Sequence, residues 1–297
     1  MLSGLFILNK EAGMTSQSAV LRVRRLFGAA KAGHTGTLDP MATGVLPVLI
    51  GRAVKAGEYL ICGDKHYIAT LRLGLTTDTE DVTGRILTSS DKRPGEEEVY
   101  AAARRFLGTT MQTPPMYSAL KVGGKKLVDL ARAGIEVERA PRPVTVFSLR
   151  VERLSESDYL LDVVCSKGTY IRTLCADIGR ALGCGGVMAA LCRAEAAGFT
   201  LQQAHTLAQL EAMTEKEREQ ALYPVEALFS DLKNITLAPF FSRLARCGAE
   251  IYLRKIGLSA NVGERVRLSD ERGFFALGEV REFADGPAIK PIKQFDV

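Results

Sequence analysis

Residues 33–47 read Gly-His-Thr-Gly-Thr-Leu-Asp-Pro-Met-Ala-Thr-Gly-Val-Leu-Pro, and so dense a mixture of glycine, proline and threonine suits neither a helix nor a strand. Gly33, Gly36 and Gly44 permit backbone angles and close approaches that other residues cannot adopt. Pro40 removes a donor and drives the residue before it, Asp39, toward an extended conformation. The only carboxylate of the run therefore sits on a stiff, polar turn, five residues after His34. Such a loop is suited to holding something, although Asp-Pro by itself also serves simply to start a turn.

A length of 297 residues suggests about two domains. With 46% hydrophobic and 25% charged residues there is ample material for a core, so extended disorder is not expected. No run approaches the roughly 18 uncharged apolar residues of a membrane span, and residues 1–10 lack a basic segment followed by a long apolar one. The expectation is a cytoplasmic chain with no membrane partner. Cys62, Cys165, Cys175, Cys184, Cys192 and Cys247 form no Cys-x-x-Cys pair, and His34, His66 and His205 are scattered. Neither a metal nor a disulfide framework is expected, and the cysteines read as free and buried. Arg22, Arg24, Arg25, Lys31, Arg52 and Lys55 bracket the glycine-rich loop, which points to a polyanionic partner, with a solvated basic face that holds no ligand as the equal alternative.

Thr15 or Ser16 caps a helix running to about Phe27, with Val20 and Val23 inward, Arg22 and Arg25 outward, and Gly28 as its stop. Residues 65–74 alternate as a strand with Tyr67, Ala69, Leu71 and Leu73 on one face, where Tyr67 alone would read as a core tyrosine. Residues 78–84 form an acidic turn, 96–107 an amphipathic helix, 113–121 an extended stretch, and 121–126 a basic turn. Residues 144–153 and 159–166 read as a hairpin. The next helix is expected to open at Thr169 and stop at Gly183, which places Arg172 in its first turn. A cation there opposes the helix dipole and asks for an anionic partner. Capping boxes at Thr206/Gln209 and Thr214/Glu217 start two short helices. A boundary is expected at residues 230–234, followed by short strands at 250–256, 264–268, 274–280 and 288–295, enough for a barrel-like module. Pattern reading by itself reaches only a mixed α and β class.

No phosphate-loop, dinucleotide-binding or nucleophile-elbow motif is present, so any catalysis rests on side chains alone, without a cofactor. A lone Asp can act as nucleophile or base when ionised, and a nearby Arg lowers its pKa. Arg172 is the best-placed partner for Asp39.

Five ordered segments then carry a resemblance: Leu8-Asn-Lys-Glu-Ala-Gly-Met-Thr-Ser16, Gly33-His-Thr-Gly-Thr-Leu-Asp-Pro-Met-Ala-Thr-Gly44, Lys65-His-Tyr67, Pro115-Met-Tyr-Ser-Ala-Leu-Lys121 and Lys167-Gly-Thr-Tyr-Ile-Arg172. Together they resemble the TruB family of bacterial tRNA pseudouridine-55 synthases over nearly the whole chain. The resemblance implies an α+β fold: a mixed, mainly antiparallel sheet with flanking helices over residues 1–232, then a small β-barrel-like, PUA-like RNA-binding domain over 235–297. It implies isomerisation of uridine 55 in the T-arm of tRNA with no cofactor. Asp39 would be the catalytic carboxylate, Arg172 its ion-pair partner and Tyr67 the aromatic that stacks on the target base. His34 would fill the space left by the flipped base, and Leu191 would line the pocket. Lys10, Lys55, Lys121 and Tyr170 are candidates for phosphate contacts or pocket structure. Glu11 stands where the family often has Pro. Cys192 stands where an Arg commonly follows the pocket leucine, which leaves Arg193 to carry the positive charge of that part of the cleft. A monomer is expected, because no extended apolar stripe stands out. Two rivals stay open at this point: a non-catalytic RNA binder, since Gly33-His-Thr-Gly36 has the shape of a KH loop, and a nucleoside hydrolase that would release uracil.

Overall fold

A computed structural model of the protein describes residues 2–60 and 63–295; Cys62 lies outside them. The first part of the chain runs β1 (Gly4–Lys10), α1 (Ser16–Leu26), β2 (Ala32–His34), β3 (Thr43–Ile50), α2 (Gly57–Leu60), β4 (Lys65–Leu73), β5 (Leu75–Thr77) and β6 (Ile86–Ser89). It continues through α3 (Glu96–Arg104), β7 (Gly108–Gln112), β8 (Lys121–Val122), β9 (Lys125–Lys126), α4 (Leu127–Arg132), β10 (Arg142–Arg153) and β11 (Asp158–Cys165). Then follow α5 (Ile171–Leu182), β12 (Gly186–Ala196), β13 (Phe199–Thr200), α6 (Leu207–Ala212) and α7 (Glu215–Gln220). The last segment holds β14 (Lys233–Thr236), α8 (Pro239–Arg246), β15 (Ile251–Tyr252), α9 (Leu253–Ile256), β16 (Arg265–Asp270), β17 (Gly273–Phe283) and β18 (Gly286–Gln294).

A nine-stranded sheet is ordered β1-β3-β12-β4-β11-β10-β7, with β2 beside β3 and β13 beside β12. Its one parallel pairing joins β12 to β3, at Cys192↔Thr43 and Arg193↔Gly44. The sheet is thus mixed and mainly antiparallel. Strand β12, which pairs with β3, β4 and β13, has no alternating signature: Gly-Val-Met-Ala-Ala-Leu-Cys-Arg-Ala-Glu-Ala has one β-branched residue and reads as well for a helix. Tertiary pairing decides it.

Helices α1, α3 and α5 cover one face, burying Val20, Val23, Val99 and Ile178 against Phe6, Leu8, Leu46 and Leu71. On the opposite face, Leu5, Ile7, Val45 and Leu49 of β1 and β3 pack with Phe229 and with Leu277 and Phe295 of the second sheet. Because both faces of β1 and β3 are covered, these strands are continuously apolar rather than alternating. The second sheet is ordered β14-β16-β17-β18-β15.

Several boundaries differ from the sequence reading, each for a physical reason. Residues 43–47 are not loop but the start of β3, because β1 pairs with them in register Leu8↔Leu46 and Lys10↔Gly44. Gly44 makes this possible: at φ +106°, with a Cβ site only 2.3 Å from the Arg193 carbonyl oxygen, it lets β3 close onto β12. Helix α3 ends at Arg104, not at residue 107. Helix α5 starts at Ile171 with Tyr170 as its cap, so Arg172 is its second residue. Residues 250–256 form a strand only at Ile251–Tyr252; Leu-Arg-Lys-Ile then makes one helical turn, closed by Gly257 at φ +64°. The polar stretch at 230–234 runs directly into β14.

Helix α5 lies against the start of β12 with no room to spare, since a Cβ at Gly179 would sit 2.1 Å from the Gly186 amide nitrogen. Gly179→Ala is expected to destabilise the fold by about 2–3 kcal/mol through overpacking, read as a lower urea midpoint with an unchanged slope.

Candidate active site

Asp39 meets the partner its position calls for. Arg172 Nε donates to Asp39 Oδ2 at 2.9 Å and Nη2 to Oδ1 at 3.2 Å, a bidentate pair across 133 residues of sequence. Two further guanidinium donors go to backbone: Nη1 to the Thr79 carbonyl (3.0 Å) and Nη2 also to that of Tyr117 (2.8 Å). Arg172 is 6% exposed, whereas the Asp39 side chain is 31% exposed, so the carboxylate is gripped from below and open above. Burial pushes the Asp39 carboxyl above the ordinary carboxylate range; Arg172 and Lys10 oppose this, and the nearby Asp81 charge adds to it. Arg172 lowers the Asp39 pKa as its sequence position suggested, but desolvation is the larger effect and the net direction is upward.

The Asp39 loop is fastened at several points. At the start of α1, Ser16 Oγ donates to the Leu38 carbonyl (2.9 Å) and accepts from the Leu38 amide (2.8 Å). Lys10, fully buried, donates from Nζ to the carbonyls of Glu11 (2.9 Å), Met14 (2.8 Å) and Pro40 (3.2 Å). Burial brings its pKa down to about 8. Lys10 therefore braces the loop from β1 and has no free face for a phosphate. Arg193 Nε donates to the Val45 carbonyl (2.7 Å) and Nη2 to that of Gly36 (3.0 Å). At 1% exposure Arg193 is core, which corrects its reading as a cleft cation.

Tyr67 is nearly buried on β4, directly opposite Arg193 of β12 on one side and Val163 of β11 on the other. Burial holds its phenol pKa above the ordinary value, and the nearby Arg193 charge opposes that rise. Leu191, also buried, lies opposite Ala69 in the same register. His34 ends β2 half-buried; its Nδ1 is enclosed with no hydrogen-bond partner, and burial and Arg193 lower its pKa, so the ring is neutral at pH 7. Tyr170 is held through its backbone, its amide donating to Gln112 Oε1 (2.8 Å) and its carbonyl accepting from Gln112 Nε2 (3.1 Å).

Two expected contributors stand on other elements. Lys55 is exposed and donates to the Gln294 carbonyl of β18 (3.3 Å), toward the second sheet. Lys121 is exposed on the β8–β9 hairpin beside Lys125 and Lys126.

Sequence reasoning missed the 78–84 turn as part of this site. Asp81 is buried and accepts at Oδ1 from Thr79 Oγ1 (2.9 Å), the Thr83 amide (2.9 Å) and Thr83 Oγ1 (2.6 Å). This locks the turn whose Thr79 carbonyl holds Arg172. Glu80 within it sits at φ +63°, rare outside glycine, and accepts from Thr173 of α5 (2.6 Å). An Asp two residues before a Thr in a Thr/Asp-rich turn was the available signal. Among the described residues no group of three or more His, Cys, Asp or Glu side chains is arranged to hold a metal.

Residues 24–171 match the family model described as TruB family pseudouridylate synthase (N terminal domain), and residues 172–230 match the tRNA pseudouridylate synthase B C-terminal domain. The chain is 40% identical over 282 residues to tRNA pseudouridine synthase B of Alkaliphilus oremlandii, covering 94% of each. It is 44% identical to the protein of the same name from Aromatoleum aromaticum, covering 94% of this chain and 89% of that one. Among solved structures, a chain of a Cbf5-Nop10-Gar1 complex superposes with a TM-score of 0.71 at 25% identity, covering 98% of this chain and 84% of that one.

Replacing Arg172 by Met strands the Asp39 carboxylate and two buried carbonyls, and is expected to lower unfolding free energy by about 3–5 kcal/mol. Without its cation the folded-state Asp39 pKa rises further above the unfolded value. Stability of R172M should therefore fall as pH rises from 4 to 7, a loss that urea titrations at the two pH values would register and that the added change Asp39→Asn would partly relieve.

Proposed function

The chain belongs to the TruB family of pseudouridylate synthases, and on that premise we propose that it isomerises uridine 55 in the T-arm of tRNA to pseudouridine. The observation that carries this reading is the Asp39 carboxylate, held by Arg172 from the buried side and open on the other. Isomerisation breaks the bond from ribose C1′ to uracil N1, turns the retained base, and joins C1′ to C5. No water, metal or energy source is consumed. Attack on C1′, attack on the ring and removal of a ribose proton all require Asp39 ionised, and its guanidinium partner favours that form.

The target base is stacked within folded RNA, so it must be flipped out at a cost of a few kcal/mol, offset by new stacking and phosphate contacts. Tyr67 would stack on it and Leu191 would line the pocket beside it, and the neutral His34 ring suits the space it vacates. The exposed Lys121 hairpin and the outer face of α1, with Arg22, Arg24 and Arg25, offer phosphate contacts. Tyr170, at the start of α5, borders the same cleft. Lys10 contributes pocket structure, and Lys55 supports the second sheet. In this reading residues 1–232 form the catalytic domain and 235–297 a PUA-like RNA-binding domain of a cytoplasmic monomer. After rejoining, one proton leaves C5 and one is gained at N1; Tyr67, or water organised near it, is the acceptor for the first.

Incubating the protein with a uridine-containing T-arm stem-loop, followed by nucleoside analysis, tests the reading directly. Pseudouridine without free uracil is expected; free uracil would identify a hydrolase instead. Asp39→Asn should cut turnover by about 10^4-fold or more while RNA affinity stays close to wild type. Unchanged turnover in D39N would leave only an RNA binder. Because the Asp39 pKa is raised from 3.8, the acid limb of turnover should lie above that value, with activity lost as pH falls through it. RNA affinity should fall with rising salt as phosphate contacts are screened.

A further inference from the structure

We infer that Glu80 is a positioning residue for the isomerisation: by accepting from Thr173 it ties the 78–84 turn to the first turn of α5 and so fixes Arg172, and through it Asp39, in the geometry the reaction needs. The inference rests on the proposed isomerisation. Its starting point is a residue out of keeping with its backbone. Glu80 holds φ +63°, a conformation that crowds a side chain and that glycine adopts freely. Strain of this kind persists only where the surrounding bonds over-determine it.

On one side the main chain supplies those bonds. The Glu80 amide donates to the Thr77 carbonyl (3.3 Å), the Glu80 carbonyl accepts from the Met188 amide of β12 (3.0 Å), and the Val82 amide donates to the Met188 carbonyl (3.1 Å). On the other side the turn reaches α5. Arg172 Nη1 donates to the Thr79 carbonyl at 3.0 Å, and Thr173 Oγ1 donates to Glu80 Oε2 at 2.6 Å. Two consecutive residues of the turn thus meet two consecutive residues of the helix. Thr173 is buried, so its hydroxyl depends on this acceptor rather than on water.

The start of α5 needs such an outside hold. Its cap residue, Tyr170, makes no side-chain capping bond, its first turn contains no acid, and the cation Arg172 there opposes the helix dipole. The helix is gripped instead from other segments: Gln112 takes the backbone of Tyr170, and Glu80 takes Thr173. Charges of both signs surround Glu80. Burial raises its pKa, Arg172 and Arg180 of α5 oppose this, and Asp177 of the same helix, itself paired with Arg180, adds to it. The bond to Thr173 requires only an acceptor oxygen, which a carboxylate, a neutral acid and a glutamine amide all present. The latch therefore works through contact rather than charge. Without it the first turn of α5 is free to shift against the Thr79 carbonyl, and a displacement of about 1 Å at the reacting groups is enough to cost about 100-fold in rate.

The test is steady-state conversion of a T-arm stem-loop to pseudouridine by wild type, Glu80→Ala, Glu80→Gln, Thr173→Val and Thr173→Ser, with the urea midpoint and RNA affinity of each. E80A and T173V are expected to lower kcat about 10- to 100-fold with KM and RNA affinity close to wild type. The double variant should be no slower than the slower single one, because both changes remove the same bond. E80Q, which keeps the acceptor, and T173S, which keeps the donor, should recover most of the rate. A purely structural role would lower the urea midpoints of E80A and T173V while the folded enzyme kept the kcat of wild type, and that result overturns the inference. So does an E80Q as slow as E80A, which would assign the effect to charge. Should E80A not fold, the Thr173 pair decides: a slow T173V rescued in T173S supports the inference, and equal rates overturn it. No pseudouridine from wild type would remove the isomerase reading itself, an outcome distinct from wild-type kcat in the variants.

Discussion

The pair of Asp39 and Arg172 is the constraint around which the first sheet is arranged. Taking both charges out of water costs several kcal/mol per ion, and their attraction repays this only with good geometry and no stranded donors. The geometry is good, with two bonds joining the side chains, and the carbonyls of Thr79 and Tyr117 take two further guanidinium donors. Four stretches of chain must therefore be placed together, namely the Asp39 loop, the 78–84 turn, the segment before β8, and α5. The sheet supplies the frame. Gln112 of β7 holds the start of α5, and Gly179 lets the same helix lie on β12.

Three buried cations solve a second problem, that of burying irregular backbone beside a sheet. Loop carbonyls have no ladder partners, and an unpaired carbonyl in the core is expensive. Lys10 serves Glu11, Met14 and Pro40; Arg172 serves Thr79 and Tyr117; Arg193 serves Gly36 and Val45. Each cation thereby exchanges its hydration for backbone carbonyls, all in loops except that of Val45 near the start of β3. The positive charge left over lies around one partly open carboxylate, a setting that favours ionised Asp39 against the desolvation acting on it. Structural bracing and the electrostatics of the site are in this sense the same set of bonds.

The second sheet is joined to the first through an apolar seam rather than a linker alone. Phe229, Phe274 and Phe295 pack within 6.0 Å of one another, with Leu277 and the outer face of β1 and β3 completing the cluster. At its rim Lys293 pairs with Glu58, and Arg267 with Glu226. A seam of this kind keeps the two sheets in a set relation.

Much of this was legible in the linear chain, and what was not has a common cause. The 33–47 run announced a held loop with Asp39 at its stiffest point, because glycine and proline act on their own backbone. Arg172 announced itself as a cation at a helix start in want of an anion, and the face of Tyr67 followed from alternation along β4. These are local properties, decided within a few residues. Strand β12, the lock on the 78–84 turn by Asp81 and the burial of Arg193 depend instead on pairings such as Arg193 with Val45, 148 residues apart. A residue's own neighbours say nothing of such partners. Whether an arginine faces solvent or anchors the Asp39 loop is settled only when sheet register brings the carbonyls to it.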